Sequence, residues 1–260
     1  MKVKKVIFAC DLDYLNYFTH VKEFYNTYLN IDVILLLFSA NNNKIMSDDR
    51  NTVIHFKKNV KKYLIPWSLF YGASLFPEDT IMTSGIDQIP LSNIFFNKLK
   101  SINEDKLVVG ISDCYNGYKK DTLGYYNTLT NVLYPSSHIV GKGKIFKEIF
   151  NIQSNIEKEF LKIDNFKDKF YFNNWRYKEE LYWGIDECYM SYMISIFKDK
   201  EKIHHILDSR NWFLKNRIEC LSEFNKKNPV ELSLKPSSLL NFPNSKNLIR
   251  LYGEKILNDS

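Results

Sequence analysis

Acidic side chains follow three of the apolar, strand-like segments of this sequence. They are Asp11 with Asp13, Asp87, and Asp113. Because ligands of open parallel sheets bind outside the carboxyl ends of the strands, these carboxylates are candidate ligand contacts. A fourth acidic pair, Asp186-Glu187, follows Trp183-Gly184 at the start of a predicted helix. The alternative for that pair is a favourable interaction with the helix dipole, about 0.3–1 kcal/mol for each residue.

The segment from Ser84 to Pro90, SGIDQIP, has the clearest chemical logic. Gly85 lets the backbone approach a ligand closely. Asp87 then offers a carboxylate to a divalent cation that bridges a diphosphate, and we expect Pro90 to stop the strand. The alternative is that Asp87 only caps the turn before Leu91-Ser92-Asn93.

Strand-like and helix-like segments alternate along the chain. The predicted strands are Val3–Cys10, Val33–Phe38, Thr80–Ser84, Leu107–Ile111 and Ile139–Val140. Three predicted helices are Tyr14–Tyr28, Ile145–Phe160 and Ile185–Ile196. A fourth begins at Ser47-Asp48-Asp49, presents Val53, Phe56, Val60 and Leu64 on one side, and ends before Pro66. This alternation predicts parallel βαβ units. We therefore expect a Rossmann-like α/β fold, with a mixed, mainly parallel sheet flanked by helices in a single domain.

Composition limits the class of protein. The chain has 260 residues, 45% of them hydrophobic, which is enough for one large domain. Its net charge is +6, but lysines alternate with acids, as in residues 198–202. This pattern is typical of a solvated surface and leaves a basic phosphate groove as the alternative. Since no basic stripe with interleaved aromatic residues is present, we expect no nucleic-acid partner.

The cysteines and the apolar runs indicate the compartment. Cys10, Cys114, Cys188 and Cys220 are too far apart for a zinc site and suit reduced thiols. The longest uninterrupted apolar run, Val33–Phe38, is too short to span a membrane. We expect a cytoplasmic protein without a transmembrane segment.

Five motifs resemble, in the same order, those of GT-A glycosyltransferases, and in particular the poorly characterised glycosyltransferase-like proteins of large viruses and phages. They are Ile7–Asp11 through Tyr14, Pro66-Trp67 with Tyr71–Leu75, Thr83–Leu91 followed by Phe95-Phe96, Gly141-Lys142-Gly143 with Phe146 and Ile149-Phe150, and Trp183–Tyr189. Each motif is weak by itself, and their shared order is the stronger argument. If the resemblance holds for a viral protein, the compartment is the host cytoplasm.

The resemblance implies a GT-A-like fold and the transfer of a sugar from a UDP- or GDP-sugar to a hydroxyl group of a glycan or a protein glycan. It implies that the donor contacts are Ala9, Cys10, Asp11 and Tyr14 at the nucleoside and Ser84, Gly85 and Asp87 at the diphosphate. In this pattern Asp87 is also the ligand of Mn²⁺ or Mg²⁺.

On the acceptor side, the resemblance places Asp186 or Glu187 where inverting members keep a base, which takes the acceptor hydroxyl proton. His138 either touches the donor sugar or acceptor or makes a structural hydrogen bond, and the second role is favoured.

Two departures from the pattern affect the metal. Gly85 replaces the first acid of the Asp-x-Asp motif, and no histidine accompanies Leu234-Lys235-Pro236. Fewer ligands lower metal affinity, so the protein either binds metal weakly, uses Lys or Arg to neutralise the phosphates, or is inactive.

Two rival functions stay open. One is a degenerate protein of the same fold that binds a nucleotide or glycan without turnover. The other is a phosphatase like the haloacid dehalogenases, because Asp11-Leu12-Asp13 after Val6–Ala9 resembles their first motif. Leu15 departs from that motif.

The predicted single domain, 1–260, divides into a nucleotide-binding half (1–100), an acceptor half (101–200) and a C-terminal helical extension (201–260). In that extension, an apolar set either packs on the core or forms a dimer surface, so a homo-oligomer stays open. The set is Trp212, Phe213, Leu248, Tyr252 and Ile256.

Overall fold

The computed structural model describes residues 1–41, 45–90, 93–112, 133–153, 155–167, 184–207 and 231–233, together with Arg250 and Glu254. The strands in these residues are β1 (Lys5–Cys10), β2 (Asp32–Phe38), β3 (Asn51–Phe56), β4 (Thr80–Thr83), β5 (Gln88–Pro90), β6 (Leu107–Val109), β7 (Ile139–Lys142), β8 (Ile203–His205) and β9 (Glu231–Ser233). The helices are α1 (Leu15–Tyr28), α2 (Ser68–Ser74), α3 (Ile94–Leu99), α4 (Gly143–Ile149), α5 (Ile156–Lys167) and α6 (Ile185–Ile196). Short 3₁₀ turns span Leu12–Tyr14, Lys62–Leu64 and Lys200–Lys202.

A seven-stranded sheet with the order β3-β2-β1-β4-β7-β6-β8 organises the chain. The strands from β3 to β4 are parallel, and β1 aligns with β2 from Lys5 opposite Asp32 to Cys10 opposite Leu37. β7 runs antiparallel to both of its neighbours, and β6 and β8 are again parallel. The mixed, mainly parallel sheet that the sequence predicts is therefore confirmed.

Both faces of the sheet are covered. On β1, Val6, Phe8 and Cys10 point to one face and join the core that includes α1 and α3. Ile7 points to the other face and joins the core of α2, α4, α5 and α6. This burial on both sides explains why the central strands consist of continuous apolar runs rather than alternating apolar and polar residues.

The predicted helix from Ser47 to Leu64 is wrong, because residues Asn51–Phe56 form the edge strand β3. A tight turn precedes it, in which the Asp48 carboxylate accepts hydrogen bonds from the backbone N–H of Arg50 and the side chain of Asn51. The β-branched run at Thr52–Ile54 suits a strand, and pairing with β2 fixes it there. Only Lys62–Leu64 is helical, as a single 3₁₀ turn.

The apolar stripe from Ile145 to Phe160 is divided between two helices rather than one. The first, α4, ends at Ile149, and Asn151 then adopts a left-handed conformation with φ of 49°. The second, α5, begins at Ile156, and the Asn155 carboxamide oxygen accepts the N–H of Glu157 at 2.7 Å. The apolar residues of the stripe still join one core, because both helices pack on the same face of the sheet.

Pro90 does not stop the strand that begins at Thr80, since β4 already ends at Thr83. It lies instead in β5, which pairs antiparallel with β9. Together with β8, β9 places two strands in the predicted helical extension. Sequence patterning misses them because each has three residues and pairs with a distant segment. The apolar residues predicted for a dimer surface lie outside the described part of the chain.

In the described segments, no helix combines the length and the apolar character that a membrane crossing requires.

Two glycines in the β7–α4 passage give a matched test of the packing. A Cβ at Gly143 would meet the backbone oxygens of Phe76 and Ala73 at 2.3 and 2.4 Å, whereas at Gly141 the nearest atom is a Leu107 methyl at 3.3 Å. We expect Gly143→Ala to lower the free energy of unfolding by about 2 kcal/mol or more, because backbone carbonyls yield less than side chains. Gly141→Ala should cost about 1 kcal/mol or less. Equal losses in urea denaturation would contradict this packing.

Candidate active site

A cleft of about 270 Å³ opens where β1 and β4 end. Its described lining residues come from the β1 loop, the 3₁₀ turn and following residues before α2, the β4–β5 turn, the segment before β7, and α6. They are Ala9, Cys10, Asp11, Tyr14, Lys62, Ile65, Pro66, Leu69, Ser84, Gly85, Ile86, Asp87, Gln88, Ser136, Ser137 and Glu187. The cleft therefore lies at the carboxyl ends of parallel strands, where open sheets bind ligands.

The loop after β1 forms one wall. Asp11 caps the 3₁₀ turn Leu12–Tyr14, because its carboxylate accepts the N–H of Asp13 at 3.1 Å. This cap brings Tyr14 to the cleft. Cys10 is 2% exposed, and burial, with a smaller contribution from the Asp11 charge, raises the pKa of its thiol to about 12. The thiol is thus protonated at neutral pH and unsuited to act as a nucleophile.

The turn between β4 and β5 forms the floor. The N–H of Ser84 donates to the carbonyl of Ile7 at 3.2 Å, which ties this turn to β1. Gln88 closes the turn, since its side-chain oxygen accepts the N–H of Gly85 at 2.9 Å and its own N–H donates to the Gly85 carbonyl at 3.0 Å. Asp87 follows Gly85 at the cleft and is 8% exposed.

Gly85 lies against the side chains of Gln88 and Asp87. A Cβ at this position would lie 2.8 Å from Gln88 Oε1 and 2.9 Å from Asp87 Oδ1. An acidic residue there would therefore require one of these side chains to move. The turn is closed by side chains in the volume that the first acid of an Asp-x-Asp motif would need.

Ser136 joins this floor to the acidic pair of α6. Its carbonyl accepts the hydroxyl of Thr83 at 2.7 Å, and its N–H donates to Glu187 Oε1 at 3.4 Å. Its side-chain hydroxyl also hydrogen-bonds the Asp186 carboxylate. Gly184, with φ of 87°, turns the chain into α6 so that both acids lie in the first helical turn. Glu187 reaches the cleft, while Asp186 is buried behind its wall.

Lys62, at the start of its 3₁₀ turn, also lines the cleft. Its ammonium group is 2.6 Å from Asp13 Oδ2 and 3.9 Å from Asp11 Oδ2. The hydrogen bond to Asp13, and then the charges of both carboxylates, raise the pKa of Lys62. Lys62 is the one cation among the described residues that line the cleft.

The metal that the Asp-x-Asp resemblance implies does not fit these residues. Within the described ranges, no group of three or more His, Cys, Asp or Glu side chains is placed to hold an ion. Asp87 is the single acid of the β4–β5 turn, and Asp11 and Asp13 are paired with Lys62.

Comparison with solved structures identifies the fold. The glycosyltransferase GlyE of Streptococcus pneumoniae TIGR4 is 12% identical with a TM-score of 0.52, and the match covers all of this chain and 63% of that one. The galactosyltransferase LgtC, solved with donor and acceptor sugar analogues, is 11% identical with a TM-score of 0.51, over 97% of this chain and 96% of that one. The protein has the GT-A glycosyltransferase fold. No protein-family model and no curated protein matches its sequence.

This chain thus spans less than two thirds of GlyE. At such low identities the similarity establishes the GT-A fold alone, and the roles of individual residues depend on the geometry above. The Asp11-Leu12-Asp13 sequence that resembles the phosphatase motif lies here after β1 of a GT-A fold. In addition, Asp13 is an exposed residue in an ion pair with Lys62.

The GT-A fold brings eight of the ten predicted site residues to the cleft. They are Ala9, Cys10, Asp11, Tyr14, Ser84, Gly85, Asp87 and Glu187. Asp186 and His138 are not among the lining residues. Asp113, Trp183 and Leu234-Lys235-Pro236 lie outside the described residues.

His138 lies between the lining residues Ser136-Ser137 and β7 and does not itself line the cleft. It is 4% exposed and has φ of 63°. Its N–H donates to the carbonyl of Thr83 at 2.7 Å, its own carbonyl accepts the N–H of Gly110 at 3.0 Å, and its ring meets Phe95 edge-on at 5.3 Å. These contacts hold the backbone and the ring of His138 in place, and the structural hydrogen bond of its imidazole stays a prediction.

Sequence reasoning missed Lys62, Gln88 and Ser136. No local pattern distinguishes Lys62 from the neighbouring lysines 57, 58 and 61. It reaches the cleft because the chain returns to the β1 loop after β3. Gln88 was within the recognised segment, but its role depends on how the turn closes.

Asp186 gives a test of this geometry that is independent of activity. Burial raises its pKa from 3.8 to about 6, against hydrogen bonds from Ser136 and the backbone that lower it. Because the folded state binds the proton more tightly than the unfolded state, its stabilising contribution is complete below about pH 4 and is lost as the pH rises through about 6. From pH 4 to 7 the free energy of unfolding of the wild type should therefore fall by about 2 kcal/mol relative to Asp186→Asn. Parallel pH curves from chemical denaturation would contradict the burial of this carboxyl group.

Proposed function

We propose that the protein is a glycosyltransferase that moves a sugar from a nucleotide-sugar donor to a hydroxyl group of a glycan or protein glycan. The observation that supports this most is the cleft, which brings the β1 loop, Asp87 and Glu187 together at the carboxyl edge of a GT-A sheet. The GT-A fold that the chain shares with GlyE and LgtC, both named as glycosyltransferases, also supports the proposal.

The nucleoside of a UDP- or GDP-sugar is assigned to the wall formed by the β1 loop. Ala9 and Cys10 offer backbone groups there, Asp11 offers a carboxylate to the ribose hydroxyls, and the Tyr14 ring offers a face for stacking. Pro66 and Leu69, which also line the cleft, supply apolar contacts. A cleft with mostly apolar walls and a few polar groups is typical of small-ligand sites.

Asp87 orients the donor at the floor of the cleft. A carboxylate repels a diphosphate unless a cation lies between them, whereas it accepts hydrogen bonds from the hydroxyl groups of a sugar. Since the described residues do not supply a metal site around Asp87, its assigned partners are the hydroxyl groups of the donor sugar. Ser84 and Gly85 bring the backbone of the turn close to the same ligand.

Glu187 acts on the acceptor. The acceptor oxygen forms a bond to the anomeric carbon, the bond from that carbon to the donor phosphate breaks, and the nucleoside diphosphate leaves with the electron pair. The Glu187 carboxylate takes the proton of the acceptor hydroxyl group. Asp186 contributes indirectly, because it holds Ser136, whose N–H positions the Glu187 carboxylate.

A nucleotide-binding or glycan-binding protein without turnover is the second candidate. The closed turn at Gly85 favours it, because an incomplete Asp-x-Asp motif removes a carboxylate that the resembling enzymes use. Incubation with a panel of UDP- and GDP-sugars, followed by measurement of free sugar and nucleoside diphosphate, separates the two. Donor hydrolysis or transfer supports the enzyme; binding without release of sugar would establish the second candidate.

Substitution of Asp87 tests its place in the donor site. We expect Asp87→Ala to weaken binding of the best donor sugar by about tenfold or more, the effect of losing a hydrogen bond to a charged group. Binding of the free nucleoside should change little, because the nucleoside lies on the β1 wall. Isothermal titration calorimetry measures both, and unchanged donor affinity would refute the assignment.

Substitution of Glu187 tests the base. Glu187→Gln keeps the shape and the hydrogen bond from Ser136 but cannot take a proton, so kcat should fall by about 10²–10⁴-fold. The dissociation constant of the donor should stay within about threefold of the wild-type value. Wild-type turnover in this variant would exclude Glu187 as the base.

A further inference from the structure

We propose that Lys62 supplies the positive charge that the donor diphosphate requires, so that donor binding by this protein does not depend on a divalent metal ion. The proposal rests on the glycosyltransferase function above and specifies how its donor site handles charge. It assigns a residue that no motif in the sequence points to.

The charge balance of the cleft requires such a group. Its described lining residues include three carboxylates, Asp11, Asp87 and Glu187, against the single ammonium group of Lys62. A nucleoside diphosphate adds at least two further negative charges. In a partly enclosed site this repulsion is larger than in water, so the ligand needs a cation in direct contact.

The usual solution, a metal held by two acids of one turn, lacks one of its acids in the turn between β4 and β5. Gly85 occupies the position of one acid, and the volume beside it is filled by the carboxamide of Gln88 and the carboxylate of Asp87. The hydrogen bonds between Gln88 and Gly85 hold the turn closed in this form. No set of three ligating side chains elsewhere in the described ranges replaces it.

Lys62 has the position and the freedom to take this role. Its side chain lines the cleft, is 65% exposed and pairs with Asp13, which is also 65% exposed. An ion pair between exposed groups contributes little to stability, so exchanging the Asp13 carboxylate for a phosphate oxygen costs little. Asp11, 3.9 Å from the ammonium group and 21% exposed, keeps Lys62 directed toward the nucleoside wall during this exchange.

Calorimetric titration of UDP and GDP, and of uridine and guanosine, tests the proposal in the presence of either EDTA or Mn²⁺. For the wild-type protein, the dissociation constant of whichever diphosphate binds more tightly should agree within about threefold between the two conditions. Lys62→Ala should weaken binding of that diphosphate by about 10- to 100-fold, the range expected for one charge-assisted hydrogen bond. It should leave the affinity for the nucleoside unchanged, which shows that the cleft is intact. Lys62→Arg should restore most of the loss.

Lys61→Ala is the matched control. Lys61 is the adjacent residue, its side chain is 62% exposed, and its ion-pair partner at 3.8 Å is Asp164 rather than a residue of the cleft. We expect this variant to bind the diphosphate as the wild type does. An equal loss in the two alanine variants would show a general surface-charge effect and overturn the assignment of Lys62.

Two further outcomes distinguish the inference from the function beneath it. Diphosphate binding that requires Mn²⁺, with sugar transfer intact, would overturn the role of Lys62 and leave the glycosyltransferase in place. No binding of either diphosphate, with or without Mn²⁺, and no release of sugar would overturn the proposed function and the inference with it.

Discussion

The buried hydroxyl group of Thr83 connects the two parts of the cleft. It donates to the carbonyl of Ser136 at 2.7 Å and accepts the N–H of Ile139 at 3.1 Å, while the backbone carbonyl of Thr83 accepts the N–H of His138 at 2.7 Å. Thr83 is fully buried, and its hydrogen bond with the N–H of Ile139 is buried as well, so that bond is protected from competing water. Through them, the last residue of β4 holds the segment that enters the antiparallel strand β7.

The geometry of the site follows from this connection. Ser84 and Asp87 continue the chain beyond Thr83, and Ser136 carries the hydrogen bonds to Asp186 and Glu187. A single strand end thereby sets the separation between the donor floor and the acceptor acid. The left-handed backbone at His138 is maintained by the same contacts, since both of its backbone groups are hydrogen-bonded and its ring packs on Phe95. Strain of this kind persists only where the surroundings determine the conformation.

Patterning predicts the central part of this fold well. The apolar runs at Val6–Cys10 and Val33–Phe38 form central strands, because every side chain in them packs in the core on one face of the sheet or the other. Helix α1 follows from an apolar stripe that packs on one face of the sheet. The same reasoning fails at the sheet edge. Residues Asn51–Phe56 carry a helix-like spacing of apolar side chains, and pairing with β2 overrides it. The strands β5, β8 and β9 are too short for a periodic signal, and each forms only against a partner far along the chain.

The sequence by itself determined the central strands of the sheet, the candidate turn from Ser84 to Pro90 and the acidic pair of α6. Local composition and spacing carry that information. Only the tertiary structure decided which of those groups meet. It placed Glu187 at the cleft and buried Asp186 behind Ser136, although the two residues are adjacent. It also filled the space beside Gly85 and brought Lys62 to the carboxylates of the β1 loop, 49 and 51 positions earlier in the chain. Contacts across such separations depend on chain reversal and side-chain packing, which no local pattern encodes.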